Sequence, residues 1–201
     1  MWFFIFALSL RILFCSSQMI RHSALGEYHV EWREFGPCPL ERRGTGEVFS
    51  DVHLTRKNKK PELYGNLTLA VPFDDTTPMK VNFAILGMNS AWIPNFYSMT
   101  FLRGCSDGYL AMFNEGWVNY MLSFGISPAC PVPKGFHRTR GYDPDNFLKN
   151  SMLPKQFVYG RYKMEMEYYT KRNTLMGCSY LTIDVVPIWQ KKKSNRTNST
   201  S

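Results

Sequence analysis

The segment from Gly160 to Tyr169 constrains the fold of this chain more than any other stretch. Its even-numbered residues, Tyr162 to Tyr168, are apolar, whereas its odd-numbered residues, Arg161 to Glu167, are charged. Strict alternation over eight residues is typical of a β-strand with one buried and one solvated face. A polar turn and a second alternating stretch, Leu181 to Val185, follow. The C-terminal third therefore predicts a terminal antiparallel hairpin.

Further alternating stretches precede this hairpin and are separated by turn signals. They lie around residues 28–33, 48–54, 67–71 and 81–85. Strands at this spacing predict an all-β fold, an immunoglobulin-like β-sandwich or β-cup. At 201 residues the chain is long enough for one domain with a sizeable core.

One segment, residues 106–124, has a different period and predicts a helix inserted among the strands. Ser106 and Asp107 suit a helix N-terminus, where a side-chain oxygen and a negative charge are favourable. Aromatic residues then recur at steps of three or four, which places them on one helix face. They are Tyr109, Phe113, Trp117, Tyr120 and Phe124.

The first 17 residues have the pattern of a secretory signal peptide. An apolar block at residues 2–10 is interrupted by Arg11 and resumes to Cys15, which is too short to span a bilayer comfortably. Small residues at Cys15 and Ser17 suit cleavage after Ser17. We therefore predict a signal peptide at 1–17, a folded domain at 18–190 and a disordered basic tail at 191–201. A buried N-terminal strand or an uncleaved anchor is the alternative.

Secretion makes the cysteines that remain after removal of the signal peptide informative about disulfide bonds. In an oxidising compartment an even number of cysteines predicts a disulfide framework, but four cysteines allow three pairings and spacing alone does not choose among them. The cysteines are Cys38, Cys105, Cys130 and Cys178.

Three Asn-x-Ser/Thr sequons also fit an extracellular chain. Asn195 and Asn198 lie in the tail, whereas Asn66 lies in a predicted strand in which Leu67, Leu69 and Val71 form the apolar face. Asn66 is therefore predicted to face outward, where a glycan fits.

The formal net charge of +8 raises the possibility of nucleic acid binding. However, four of the basic residues lie in the tail: Lys191, Lys192, Lys193 and Arg196. Secretion also separates the protein from most nucleic acid. We predict no nucleic acid partner. A solvated tail is the simplest interpretation, and attraction to anionic lipid headgroups is the functional alternative.

The sequence contains little that predicts catalysis or a metal site. It has no Gly-x-Ser-x-Gly elbow, no phosphate-binding loop and no Cys-x-x-Cys motif, and its four histidines are scattered. Asp74 and Asp75 lie in a Thr/Pro-rich turn, where acidic residues are favoured for local hydrogen bonds, and Glu165 and Glu167 lie on a solvated strand face. We therefore predict no enzyme activity, metal or cofactor.

Apolar side chains are instead abundant in segments outside the clear strands. They occur in a proline-containing segment predicted as a loop between strands, on the helix stripe and in the loop before the hairpin. Aromatic loops at one end of a sandwich suit a cavity whose mouth contacts a membrane, although core packing is the alternative for each residue. The predicted lipid-binding residues are Trp92, Ile93, Phe96, Tyr97, Phe113, Trp117, Phe124, Met152, Leu153 and Phe157.

The order of several motifs resembles the ML lipid-recognition superfamily, within it the ganglioside activator branch and secreted insect members such as the chemosensory B proteins. The resemblance covers roughly residues 38–186. It is carried by the ordered set of Gly65-Asn66-Leu67-Thr68, Trp92-Ile93-Pro94, Cys130-Pro131 with Lys134-Gly135, Gly160-Arg161-Tyr162 and Gly177-Cys178.

The resemblance implies a disulfide pairing and a function. It implies that Cys38 pairs with Cys178 and that Cys105 pairs with Cys130. It also implies a secreted or lysosomal protein that lifts a lipid or glycolipid from a membrane surface and presents it to a hydrolase or receptor. The alternative is a secreted protein–protein interaction module, in chemosensory or other signalling, without a bound lipid.

Overall fold

Two antiparallel sheets form the framework of the computed structural model, which describes residues 25–149 and 151–190. One sheet has the order β5-β4-β8-β9-β1-β7 and curls into a half-barrel, and the other has the order β2-β3-β6. The strands are β1 Leu25–Pro37, β2 Val48–Lys57, β3 Lys60–Leu69, β4 Met79–Leu86, β5 Trp92–Phe101, β6 Gly135–Arg138, β7 Gln156–Val158, β8 Gly160–Tyr169 and β9 Leu175–Pro187. The predicted all-β sandwich or cup is confirmed. The predicted signal peptide and tail, with Asn195 and Asn198, lie outside the described residues.

The predicted terminal hairpin is confirmed as β8 and β9, which pair antiparallel. The even-numbered residues of β8 face inward, and Tyr162 has no solvent exposure. Its odd-numbered residues face outward and make ion pairs. Arg42 donates to Glu165 at 2.9 Å and to Glu167 at 3.0 Å.

Most of the segment 91–97, predicted as an apolar loop, belongs instead to β5, an edge strand with a bulge. Phe83 pairs with Tyr97 and Ile85 pairs with Ile93, so two steps along β4 match four steps along β5. Asn95, inside this bulge, has φ 55°. Proline cannot donate to a sheet ladder and is therefore confined to edges and bulges, which explains how a strand can contain Pro94.

The predicted helix is present but divided. A π-helical turn, Gly104–Leu110, leads into α1, Ala111–Phe113, and then into α2, Glu115–Ser123. The break lies at Asn114, which has φ 42°. Gly116 allows α2 to approach the short 3₁₀ helix Pro144–Leu148, since a Cβ there would lie 2.7 Å from the Cα of Phe147.

Both disulfide pairings implied by the resemblance are confirmed. The bond between Cys38 and Cys178 joins β1 to β9, and the bond between Cys105 and Cys130 joins the helical segment to the loop before β6. Cys130 therefore anchors the helical segment and does not flank the terminal hairpin.

The two sheets approach each other where β1 and β9 pass β2. A Cβ on Gly177 of β9 would lie 1.8 Å from the carbonyl oxygen of Val48 in β2, so only glycine permits this contact. Side chains of both sheets and of the helical segment line a space between the sheets. Among the described residues, no helix is both long and apolar enough to cross a bilayer.

Candidate functional site

The space between the sheets is a cavity of about 900 Å³ with a largely apolar lining. Strands of both sheets, the helical segment and the loop before β7 all contribute side chains. Ligand pockets in proteins are typically about 300–1,000 Å³ and mostly apolar, so the cavity has the size and character of a ligand site.

The inner face of β8 forms one wall along its length. Tyr162, Met164, Met166 and Tyr168 alternate inward because successive strand side chains point to opposite faces, and all four line the cavity. The first and last are six steps apart along the strand, a distance of about 20 Å at strand rise. The cavity is therefore deep enough for an extended hydrocarbon chain.

Phe96 and Phe157 show that both edges of the six-stranded sheet approach the same end of this wall. The ring centroid of Phe96, on edge strand β5, lies 5.7 Å from that of Tyr162. Phe157, on the opposite edge strand β7, lies 5.3 Å from the same ring. The curl of the sheet thus brings two strands that are far apart in sheet order to one end of the cavity.

Exposed lining residues mark the opening at this end. Phe96 is 44% exposed, Tyr97 51% and Met152 78%, and Ala111 and Gln156 are also exposed. Leu25 of β1, which pairs with Val158, is 62% exposed and also lines the cavity. The rim is therefore formed by β1, β5, α1, β7 and the loop before β7, and most of its side chains are apolar.

Hydrogen bonds hold the rim loop in place. The backbone N–H of Met152 donates to the carbonyl oxygen of Met112 at 3.0 Å, which ties the loop to α1. The hydroxyl of Tyr28 donates to the carbonyl oxygen of Pro154 at 2.9 Å, which ties the loop to β1. These bonds fix the loop from both sides of the opening.

Polar lining groups gather at the other end of β8. The hydroxyls of Tyr109 and Tyr168 form a short hydrogen bond with each other. The Tyr168 hydroxyl also lies 3.4 Å from the Ser179 hydroxyl, and Tyr109 donates to the sulfur of Met166 at 3.5 Å. Burial raises the pKa of Tyr168, and burial followed by the neighbouring Tyr168 raises the pKa of Tyr109. Both hydroxyls therefore stay protonated at physiological pH.

The lining is almost without charge. No lysine, arginine or histidine is among the described residues that line the cavity, and the acidic group there, Asp107, is exposed and lies 3.8 Å from Arg103. An anion placed inside would lose its hydration without meeting a cation, which is costly in an apolar site.

Seven of the ten predicted lipid-binding residues line the cavity: Phe96, Tyr97, Phe113, Trp117, Met152, Leu153 and Phe157. Trp92 and Ile93 are exposed on β5 and lie outside the lining. Trp92 borders a smaller depression with Lys163 and Tyr180, on the outer face of the sheet. Phe124 is 7% exposed and packs edge-on against Tyr120 at 5.1 Å, as part of the core.

The inner faces of the strands supply lining residues that the sequence did not assign to the site. Tyr162 and Met166 belong to the alternating pattern that predicted a buried face, but that pattern does not distinguish a packed core from a cavity wall. Ser50 and Ser179 carry no sequence signal, since isolated serines in strands are common.

Asn66 faces away from the cavity, as its neighbours Leu67 and Leu69 line it. The side chain is half-buried, and its Oδ1 has no hydrogen-bond partner among the described residues. Its outward position is compatible with the predicted glycan.

No known family model matches this chain, and no curated protein matches it either. Among the described residues, no group of three or more His, Cys, Asp or Glu side chains is placed to hold a metal ion.

Proposed function

We propose that this protein is a secreted carrier that holds a lipid or similar amphiphile in the cavity between its sheets. The observation that carries the proposal is the cavity of about 900 Å³ itself, because a protein that acted through its surface alone has no need of such a space. The exposed apolar rim, with Phe96 and Met152, gives the ligand a route in from a membrane surface.

Apolar burial supplies the binding free energy. Each methylene group moved from water into an apolar site stabilises the complex by about 0.8 kcal/mol. A long acyl or alkyl chain along the inner face of β8 therefore binds without many specific polar contacts. This suits a carrier, which must release its ligand to a membrane, a hydrolase or a receptor.

The two disulfides support the extracellular part of the proposal. The described cysteines are all paired, as Cys38 with Cys178 and Cys105 with Cys130. Disulfides persist in oxidising compartments and are rare in the cytosol. Membership of the ML superfamily is part of the same proposal, supported by the two-sheet fold and these pairings.

Titration with the neutral fluorescent probe N-phenyl-naphthylamine tests the proposal. We expect saturable fluorescence enhancement with the wild type. We expect little with Leu181→Trp, because Leu181 is 7% exposed on β9 and lines the cavity, so a larger ring there occupies ligand space. Leu122→Trp is the matched control, since Leu122 is 56% exposed and outside the lining.

Circular dichroism and thermal melting of each variant show whether the fold is retained. Met164→Trp, at the position of β8 that pairs directly with Leu181, is a second cavity-filling variant should Leu181→Trp unfold. Saturable binding by folded cavity-filling variants at wild-type affinity would contradict the proposal. Absence of probe binding by the wild type would favour the interaction module instead.

A further inference from the structure

The lining of the cavity includes a hydroxyl group for which the described part of the chain shows no side-chain hydrogen bond. Ser50 of β2 is 9% exposed and lines the cavity. Its side-chain hydroxyl has no hydrogen-bond partner within residues 25–149 and 151–190. The Ser50 oxygen is not one of the fully buried side-chain atoms that lack a partner in the described protein, so it is accessible from the cavity. A hydroxyl that lines a ligand-sized space without a side-chain partner is available to hydrogen-bond a ligand atom.

The fold places this group near the other polar lining residues. Ser50 is two residues from Val48, and Ser179 is two residues from Gly177, where the two strands touch. Two strand residues cover about 7 Å, so both serines lie close to this contact. Tyr168 pairs with Gly177 in the sheet, and its hydroxyl lies near that of Ser179. Tyr109, Tyr168 and Ser179 are joined by hydroxyl contacts, and Ser50 lines the same cavity from β2. These four residues are called the hydroxyl cluster: Ser50, Tyr109, Tyr168 and Ser179.

The cluster favours a neutral ligand group. A hydroxyl both donates and accepts, so the cluster can donate to a carbonyl oxygen or exchange bonds with an alcohol. The described lining has no cation, which removes the counter-charge that a buried carboxylate or phosphate requires. Tyrosine hydroxyls are uncharged at physiological pH, and burial, the main cause, raises the pKa of Tyr109 and Tyr168 further, so the cluster carries no charge.

We propose that the cavity takes a neutral amphiphile with its oxygen-bearing end innermost, where a hydroxyl or carbonyl oxygen hydrogen-bonds to the cluster. The hydrocarbon body then lies along Met166 and Met164 towards the Tyr162 end of β8, where Phe96 belongs to the rim. This orientation is the reverse of a lipid whose headgroup stays at the mouth. The inference rests on the proposed function and specifies its ligand class.

Three ligands with the same chain length test the proposal: dodecanol, dodecane and dodecanoate, delivered from cyclodextrin and measured by displacement of N-phenyl-naphthylamine. Each ligand is compared between wild type and variant, so differences in aqueous solubility cancel. Ser50→Ala and Tyr168→Phe each remove one hydroxyl. We expect each to weaken dodecanol binding about three- to tenfold, the loss of one hydrogen bond, and to leave dodecane binding unchanged.

Control variants remove hydroxyls elsewhere in the protein. Tyr142→Phe deletes a buried hydroxyl that donates to the carbonyl oxygen of Gly116 at 2.8 Å, and Ser123→Ala deletes one that donates to Tyr120 at 2.7 Å. Neither residue lines the cavity. We expect both controls to bind all three ligands as the wild type does. Ser50→Ala breaks no side-chain hydrogen bond of the described protein, so it keeps the test valid if Tyr168→Phe is unstable.

The outcomes separate the two proposals. Selective weakening of dodecanol supports the inner polar anchor. Equal weakening of dodecanol and dodecane overturns it, because the substitution then acts through cavity shape. Weakening of dodecanoate alone also overturns it, since the inner end then holds a carboxylate. Unchanged binding of all three ligands overturns the anchor but leaves the carrier function intact, whereas failure of the wild type to bind the probe contradicts the carrier function itself.

Discussion

Tyr109 stacks on Trp117, with ring centroids 4.4 Å apart and ring planes inclined by 16°. Tyr109 directs its hydroxyl into the polar end of the cavity, whereas Trp117 is 3% exposed and donates from Nε1 to the carbonyl oxygen of Pro128 at 3.3 Å. Trp117 thus belongs to the core and also lines the cavity beside Tyr109. The helical segment therefore contributes both to the core and to the cavity wall.

Truncation of Trp117 should be strongly destabilising. Trp117→Ala removes a large buried ring and leaves a space beneath Tyr109, so we expect a loss of about 3–5 kcal/mol in the free energy of unfolding. Urea-induced unfolding measures this loss. Trp189→Ala is the matched control, because Trp189 is 77% exposed, and we expect it to unfold nearly as the wild type does. Equal stability of the two variants would contradict the core role of Trp117.

Much of the framework followed from local patterns. The alternation in β8 gave its bounds and its buried face, and the aromatic stripe from Tyr109 to Phe124 gave the helix. The pattern placed Tyr162 and Met166 inward, but whether the inner face is packed or hollow depends on how far the second sheet lies away. Local sequence does not encode that separation.

The site was less predictable than the strands for two physical reasons. β5 is hard to recognise in the sequence because of the bulge at Asn95. Pro94 is typical of loops, and the extra residues interrupt the alternation of inward and outward side chains. The polar end depends on contacts between distant residues: Tyr109 and Tyr168 are 59 positions apart. Neither the bulge nor the contact between distant hydroxyls has a local sequence signature. Trp92 was therefore predicted to bind lipid, and Ser50 was not predicted to be part of the site.

Asp184 should make the stability depend on pH. Burial alone would raise the pKa of its carboxyl group, but hydrogen bonds and charge from Arg161 and Arg33 lower it below the ordinary value. Arg161 Nε lies 2.6 Å from Oδ1, and Arg33 Nε lies 2.8 Å from Oδ2. A lowered pKa contributes stability above the ordinary Asp value of about 3.9, and this contribution is lost as the pH falls through the folded value.

Unfolding at a series of pH values checks this contribution. We expect the free energy of unfolding of the wild type to fall as the pH drops from about 6 to about 3, and Asp184→Asn to be less stable near neutral pH with a shallower fall. Glu41→Gln changes an exposed side chain and should follow the wild type. Parallel curves for Asp184→Asn and the wild type would show that the carboxylate contributes nothing through its ionisation.

Substitutions at two sites on β5 should affect membrane contact and ligand binding separately. Trp92 and Ile93 are exposed and outside the lining, so replacing both with Ser should leave the affinity for N-phenyl-naphthylamine and the melting temperature nearly unchanged. If they touch the bilayer during extraction, transfer of fluorescent lipid between vesicles slows. Phe96→Ser with Tyr97→Ser should instead weaken the affinity, because both rings line the cavity. A large loss of affinity with the first pair would place those residues in the site.

The sequon at Asn66 predicts a glycan on the outer face of β3. Protein secreted from eukaryotic cells should lose mass on enzymatic deglycosylation, and Thr68→Ala should remove one step of that loss because the sequon needs its third residue. Leu67 and Leu69 lie on the cavity side, so the glycan leaves ligand binding intact. An unchanged mass pattern in Thr68→Ala would show that Asn66 is unmodified.

Mass spectrometry of lipid extracted from the purified secreted protein tests the carrier function most directly. The wild type and Leu122→Trp should each release an amphiphile in near-stoichiometric amount, whereas folded Leu181→Trp should release little, because its cavity is filled. Absence of lipid from the wild type, or equal amounts from the wild type and Leu181→Trp, would contradict the assignment of the cavity as a ligand site.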